Sequence, residues 1–345
     1  MRNRTRLIPL AIVVAVCVGM AIAYVGISVA RSPRSNEPSV THVVGAAILG
    51  PGAAPIKTTV ASSVAPEDEA TLLFVSMIPD RTSGSLAVAP LSDPASIRAI
   101  AGLRCERVYY AGGRGICITR GLLNSAYVEK IFDSRFHVER HIPVPGVPSR
   151  ARVSADGRYG ASTMYVPGDE DEDENFSTRT SIVDLETGKE VVDLDRLPVT
   201  KGGKPFSSRD LNFTGVTFAA DDHFYASLGS GSTSYLLEGS MRERTLKVID
   251  ENADSPSLSP NGTHIAFKRI VGGNGDWRLF VMDLRTMNAV RLAGDDPIDD
   301  QAEWLDDDHV MYGNDNILWV VPADGSGKPR KLLSYAYSPA VIRAT

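Results

Sequence analysis

The clearest hairpin pattern of the chain lies at residues 255–269 and reads SPSLSPNGTHIAFKR. It predicts two short β-strands joined by a turn at Asn261-Gly262, because Asn and Gly tolerate the positive φ angles that a tight type I′ turn requires at both central positions. Pro256 and Pro260 are unfavourable in a helix interior. One hairpin does not define a fold, but weaker copies recur along the chain, and such a repeat indicates the architecture of a whole domain.

Two kinds of segment alternate after residue 70. The first has two apolar strands around a short polar turn, and its five copies lie around Gly112-Gly113, Asp156-Gly157, Asp221-Asp222, Asn261-Gly262 and Asp306-Asp307-Asp308. The second is an apolar strand, a polar turn and a more basic strand, and its six copies lie at residues 85–100, 126–143, 180–194, 233–249, 278–292 and 317–333. This alternation predicts that each repeating unit contributes four strands.

The sixth copy of the first kind is assembled from both ends of the repeat region. Thr71–Val75 supplies one strand and Tyr337–Ile342 supplies the other. A closed ring pairs the edges that an open array would expose, and it stacks units that cannot bury their faces alone. The sequence therefore predicts an all-β fold over residues 70–345, a six-bladed β-propeller with four-stranded blades and a ring closed by the C-terminal strand.

These repeats resemble those of TolB-type, WD-repeat-like bacterial propellers. The resemblance rests on Ser-Pro-Asn-Gly at 259–262, Ser-Ala-Asp-Gly at 154–157 and the strand Leu-Phe-Val-Met-Asp-Leu at 279–284. It covers roughly residues 70–345 and implies a bacterial source. The α/β domain that precedes the propeller in TolB has no counterpart, because residues 31–69 are short and interrupted by prolines.

The N-terminus carries a membrane-targeting signal. Residues 1–6 are basic, and residues 7–30 form an uncharged run of 24 residues, which is long enough to span a hydrocarbon core of ~30 Å as a helix. Length favours an uncleaved transmembrane helix, a signal anchor, over a cleavable signal peptide, although Ser28-Val29-Ala30 resembles a cleavage site. The flanking arginines favour a cytoplasmic tail at 1–6. Both alternatives place the propeller outside the cytoplasm, in the cell envelope.

Residues 31–69 separate this signal from the repeats. They contain five prolines among small residues and show no sustained period of 2 or 3.6. We interpret them as a semi-extended linker that holds the propeller away from the bilayer, at up to ~3.1 Å per residue. The alternative is that residues 40–48 form a strand packed on the domain.

The charge distribution argues against nucleic-acid binding. The formal net charge is −6, but five of the 36 basic residues and none of the 42 acidic residues lie in the first 34 positions. The remainder therefore has 31 basic against 42 acidic residues, and such a surface repels phosphate backbones. An apolar content of 43% with 23% charged residues is ordinary for a folded domain and excludes wholesale disorder.

Two groups of residues are candidates for chemistry. The acidic run Asp169, Glu170, Asp171, Glu172, Asp173 and Glu174 offers the oxygen ligands that calcium prefers, but it lacks the spacing of a calcium loop, and we favour a solvated loop. Cys105 and Cys117 flank the Gly112-Gly113 turn on strands that we expect to pair. In an exported domain they form either a disulfide or two separate thiols.

The leading functional hypothesis is a non-catalytic, protein-binding scaffold of the cell envelope. Rigid strands would hold loops that differ between blades, and these loops would contact an envelope protein or peptide. We expect a monomeric ectodomain without a cofactor. Asp156, Gly157, Asn261 and Gly262 are assigned to turns rather than to chemistry.

Two alternatives remain open at this stage. One is an enzyme, similar to propeller lactonases or cyclases, with its site in the central channel. Such a site needs polar groups that converge from several blades, and Glu303 and Arg152 are the candidates on predicted inner strands. The other is an extracytoplasmic ligand sensor, which the six-residue cytoplasmic tail makes less favourable.

Overall fold

The computed structural model describes residues 42–44, 49, 55–64, 69–95, 97–121, 126–167, 176–208, 210–272, 276–294, 298 and 300–343. Within these residues no helix is long and apolar enough to cross a membrane. The tail predicted at 1–6 and the transmembrane helix predicted at 7–30 lie outside them, as do residues 31–41 of the predicted linker. The described residues contain 28 strands arranged in six sheets.

The first three sheets follow one another along the chain. Blade one contains β1 (His42–Val44), β2 (Ile56–Val60), β3 (Thr71–Ser76), β4 (Ser85–Pro90) and β5 (Ile97–Arg104). Blade two contains β6 (Arg107–Ala111), β7 (Arg114–Arg120), β8 (Tyr127–Asp133) and β9 (Val138–Val144). Blade three contains β10 (Val147–Val153), β11 (Tyr159–Pro167), β12 (Phe176–Asp184) and β13 (Lys189–Asp193).

The other three sheets complete the ring. Blade four follows a 3₁₀ turn at Leu194–Arg196 and contains β14 (Val199–Lys201), β15 (Lys204–Phe206), β16 (Asn212–Phe218), β17 (His223–Ser230), β18 (Thr233–Ser240) and β19 (Thr245–Glu251). Blade five contains β20 (Asp254–Leu258), β21 (His264–Val271), β22 (Asp276–Asp283) and β23 (Ala289–Arg291). Blade six contains β24 (Glu303–Trp304), β25 (His309–Asn314), β26 (Ile317–Pro322) and β27 (Arg330–Ser334), and the last strand, β28 (Ala336–Ile342), returns to blade one.

The ring closes as the sequence predicted. β28 pairs antiparallel with β3, from Ala336 opposite Ser76 to Ile342 opposite Thr71. Around the axis each inner strand contacts the next, in the order β28, β6, β10, β16, β20, β24 and back to β28. The prediction of a six-bladed propeller with four-stranded blades is therefore confirmed for the described residues.

A buried arginine reinforces the closure. The Arg98 guanidinium donates to the carbonyl oxygens of Ser334, at 2.6 Å, and Tyr335, at 3.3 Å, where the chain passes from blade six into blade one. It also lies over the Phe74 ring, 5.6 Å from its centroid. Burial lowers the pKa of Arg98 to about 10. Carbonyl oxygens at this junction thus receive charged hydrogen bonds, which are stronger than neutral ones.

Two blades carry additional strands that the sequence analysis missed. β2 pairs parallel with the outer strand β5, and β1 pairs antiparallel with β2. In blade four, β14 pairs parallel with β19 in the same way, and β15 pairs with β14. These strands satisfy the free backbone groups of an outer edge. Residues 56–60 therefore form a strand, and the prediction of a linker over 31–69 is wrong for them. The strand at His42–Val44 lies within residues 40–48, where the alternative prediction placed a strand.

The turn at residues 259–263 differs from the predicted type I′ turn. The Gly262 N–H donates to the Ser259 carbonyl at 2.9 Å, and Gly262, with a φ of 71°, has a left-handed conformation whereas Asn261 has not. Pro260 fixes the second position of this four-residue turn in a conformation typical of type I. A type I′ geometry is found at Asp221-Asp222 instead, where φ is 62° and 80°.

The core lies between neighbouring blades. Ile116, Ile118 and Ile131 of blade two pack against Ala151 and Val153 of blade three, and similar buried clusters join the other blades. The disulfide between Cys105 and Cys117 lies in such a layer, with both residues buried and their Cα atoms 5.3 Å apart. Because Cys105 follows β5 and Cys117 lies in β7, the disulfide ties the connection from blade one to a central strand of blade two.

Candidate functional site

The inner strands surround a central channel that is filled by charged side chains. These residues form what we call the channel charge cluster, which consists of Arg150, Arg152, Asp254, Lys268, Asp300 and Glu303. Strand alternation explains the two arginines: they are two residues apart on β10, so both side chains leave the same face. Ala151 and Val153, on the other face of β10, pack in the apolar core.

Arg152 and Glu303 form the most buried ion pair of the cluster. Their closest charged atoms are 3.4 Å apart, and their side chains are only 9% and 5% exposed. Arg152 also donates to the Ala302 carbonyl at 2.6 Å and lies over the Tyr109 ring, whose hydroxyl donates to Glu303 at 3.1 Å. Burial raises the pKa of Glu303, and the Arg152 guanidinium opposes that rise. Burial and the Glu303 carboxylate raise the pKa of Tyr109 above its usual range.

The other two pairs hold their carboxylates in the charged form. Arg150 lies 3.6 Å from Asp300, and Lys268 lies 3.4 Å from Asp254, which also accepts a hydrogen bond from the Thr214 hydroxyl at 2.8 Å. Burial alone would raise the pKa of Asp254, but the nearby cations, Lys268 first, lower it below its usual value. The pKa of Asp300 is lowered in the same way, against its burial, by the arginines around it.

The channel contains a small cavity. A cavity of about 10 Å³ lies among Arg107, Ser149, Arg150, Asp300 and Ser338. This is about the minimum volume that accommodates one water molecule. The two residues named for the enzyme alternative, Arg152 and Glu303, are thus brought together, but as partners of each other in a packed interior.

Sequence reasoning missed four members of the cluster. Asp254 and Asp300 give no sign of a channel position in the sequence, because each lies next to a polar loop that precedes an inner strand and resembles a loop residue. Lys268 was assigned to a strand without a role. What these residues share in the sequence is a charged side chain within or next to an otherwise apolar inner hairpin. Charged side chains in such positions are usually paired when they are buried.

The predicted turn residues make hydrogen bonds within their own turns. Asp156 accepts from the Ser154 hydroxyl at 2.6 Å and from the Arg158 N–H at 3.0 Å. Asn261 accepts from the Ser259 hydroxyl at 2.8 Å and from the Thr263 N–H at 3.0 Å. The matching pattern shows two copies of one turn in blades three and five.

The metal candidate Asp169, Glu170, Asp171, Glu172, Asp173 and Glu174 lies outside the described residues. In the part of the chain that the structure describes, no three His, Cys, Asp or Glu residues are grouped so as to hold a metal ion.

Glu129 is a buried carboxyl between blades two and three, on β8, with Ser162 of blade three as its hydrogen-bonding neighbour. Its Oε1 is buried without a hydrogen bond. Burial raises the pKa of Glu129 to about 7, from 4.5. The folded state therefore retains a proton that the unfolded state has lost, and the corresponding stability is complete below about pH 4.5 and is lost as the pH rises through about 7.

We expect Glu129→Gln to remove this pH dependence. The variant should match the wild type near pH 5 and be more stable at pH 8 by roughly 2–3 kcal/mol, which is the part of the pKa shift from 4.5 to about 7 that acts between these two pH values. Urea unfolding of both proteins at the two pH values measures the difference. Glu139→Gln, which removes an exposed carboxylate of the same blade, is the control. Parallel losses of stability in wild type and Glu129→Gln would contradict the prediction.

Two solved structures are similar to this fold. TolB from Acinetobacter baumannii is 13% identical and superimposes with a TM-score of 0.56, over 80% of this chain and 67% of TolB. A chain from a nidogen/laminin complex is 10% identical with a TM-score of 0.56, over 80% of this chain and 99% of its own length. No protein-family model matches the sequence, and no curated protein matches it either. The chain thus has a six-bladed propeller fold that is similar to that of TolB.

Proposed function

We propose that this protein is a membrane-tethered, extracytoplasmic propeller that binds partner proteins without catalysing a reaction. The observation that carries the proposal is the pairing in the channel, where three carboxylates each form an ion pair with a cation of the ring. Groups that an enzyme would direct at a substrate are directed here at each other. The channel charge cluster then supports a rigid ring, and rigid rings present loops for recognition.

Two further observations support the other parts of the proposal. The uncharged run at 7–30 behind a basic tail supports the membrane tether and an extracytoplasmic propeller. The similar chain in the nidogen/laminin complex belongs to an assembly of two different proteins. We therefore infer an envelope protein or peptide as the partner, bound by the loops that connect the strands.

Site-specific crosslinking in intact cells tests this proposal. A photoreactive benzoylphenylalanine is placed in the full-length chain at exposed Arg285 or at exposed Ser232, which lie in loops on opposite faces of the ring. We expect a discrete crosslinked protein from at least one position, and we expect it to sediment with alkali-washed membranes. The same residue at exposed Lys331, on the outer strand β27, is the control. Loss of the protein from the membranes, or no crosslink from either loop, would count against the proposal.

A further inference from the structure

A cleft of about 620 Å³ opens between blades three and four. One wall is the turn from β10 to β11, and the other is the turn from β16 to β17, and Met241 and Arg242 of blade four also line the cleft. Pockets that bind ligands in proteins usually measure roughly 300–1,000 Å³. The cleft is thus of the size of a binding site, and it is separate from the central channel.

The turns on this face are in contact at two other blade junctions. Between blades two and three, a Cβ on Gly112 would overlap the backbone of Asp156 and Gly157. Between blades five and six, the Asn261 N–H donates to Asp307 at 3.0 Å. The equivalent turns of blades three and four line the cleft instead. The gap therefore distinguishes this junction from those two.

The blade-four wall is held in a defined conformation. The Ala219 N–H donates to the His223 carbonyl at 2.9 Å and the His223 N–H to the Ala220 carbonyl at 3.1 Å. The Asp222 carboxylate accepts from the Arg242 N–H at 2.9 Å and forms an ion pair with the Arg242 guanidinium at 3.4 Å. Asp221 remains exposed at the tip of the turn.

The charges around the cleft favour a cationic ligand group. Arg242 is paired with Asp222, and Arg158 lies over the Tyr159 ring, 4.8 Å from its centroid, where it also lowers the pKa of Asp184. The lining has three carboxylates, those of Asp156, Asp221 and Asp222, against these two arginines, and Asp221 is exposed. Between the two walls, partly buried Phe218 and Val191 offer apolar surface.

We propose that the cleft binds a peptide segment of a partner protein in which a Lys or Arg stands next to an apolar side chain. The apolar side chain would contact Phe218 and Val191, and the cation would reach Asp221. This inference rests on the proposed function and specifies the chemistry of the partner. Opposite charges at the rim of an interface contribute specificity and rate of association.

Selection from a random peptide library displayed on phage, with the detergent-solubilised full-length protein as target, tests the inference. We expect the enriched peptides to pair a basic residue with an adjacent apolar one. A fluorescein-labelled peptide of the enriched sequence is then titrated by anisotropy against wild type, Asp221→Asn and Ala220→Trp. Asn tolerates the left-handed conformation at position 221, and Trp at exposed position 220 fills the cleft.

Both variants should weaken binding by about tenfold or more, which corresponds to roughly 1.4 kcal/mol. Asp308→Asn removes an exposed carboxylate from the equivalent turn of blade six and should change the affinity less than about twofold. Equal peptide affinity in the wild type and in the cleft variants would show that the cleft is not the binding site, and the proposed protein-binding function would still stand. Enrichment of acidic peptides, or of none, would also overturn the inference, whereas the loop crosslinks test the proposed function separately.

Discussion

Replacing Arg152 by methionine is expected to lower the free energy of unfolding by about 3–5 kcal/mol. The substitution leaves the Glu303 carboxylate buried without its ion-pair partner and removes the donor to the Ala302 carbonyl. A carboxylate in this position is costly because the Glu303 side chain is only 5% exposed to water. Urea unfolding at pH 7, followed by circular dichroism, measures the loss as a shift of the midpoint.

A double variant separates the buried charge from the lost packing. Arg152→Met combined with Glu303→Gln removes both charges, and we expect it to recover a large part of the stability, because neutral groups do not require a counter-ion. Arg114→Met is the control, since Arg114 forms a partly exposed ion pair with Glu139 and should cost less than about 1 kcal/mol. If Arg152→Met were as mild as Arg114→Met, the channel charge cluster would not support the ring.

The part of the fold that the sequence predicted is the part encoded by local patterns. The segment 317–333 contains β26 and all but the last residue of β27, and the strand expected at 337–342 is within β28. Alternation of apolar and polar residues and the turns between them are properties of short windows. The count of repeats then predicted a closed ring, because an open array of the same blades would expose its edges.

The features that the sequence did not predict depend on distant residues. β2 pairs with β5, about 40 positions further along the chain, and five residues of alternating burial in a proline-rich region gave no sign of it. The ion pair of Arg152 with Glu303 joins blades three and six, and only the closed ring brings them together. At residues 259–262 the sequence predicted the place of the turn but not its type, because the chain turns over Pro260-Asn261 with Gly262 at the fourth position.

Gly157→Ala should destabilise the protein more than Gly262→Ala, although both glycines occupy the same position of the same turn. Their φ angles are 70° and 71°, so alanine meets the same backbone strain at both, about 1–2 kcal/mol. At Gly262 an added Cβ has no atom within 4 Å, whereas at Gly157 it would overlap the backbone carbonyl of Gly112 in blade two. Backbone atoms cannot rotate away as a side chain does, so overpacking adds about 1–3 kcal/mol.

The difference in stability loss between Gly157→Ala and Gly262→Ala therefore measures the contact between the turns of blades two and three, because the backbone strain is the same in both variants and cancels. We expect urea midpoints that correspond to losses of about 2–5 kcal/mol for Gly157→Ala and about 1–2 kcal/mol for Gly262→Ala. Gly112→Ala approaches the same contact from the other blade and should resemble Gly157→Ala, because its Cβ would overlap the backbone at Asp156. Equal losses at 157 and 262 would mean that these turns separate without cost, and the junction between blades two and three would then be as open as the cleft beside it.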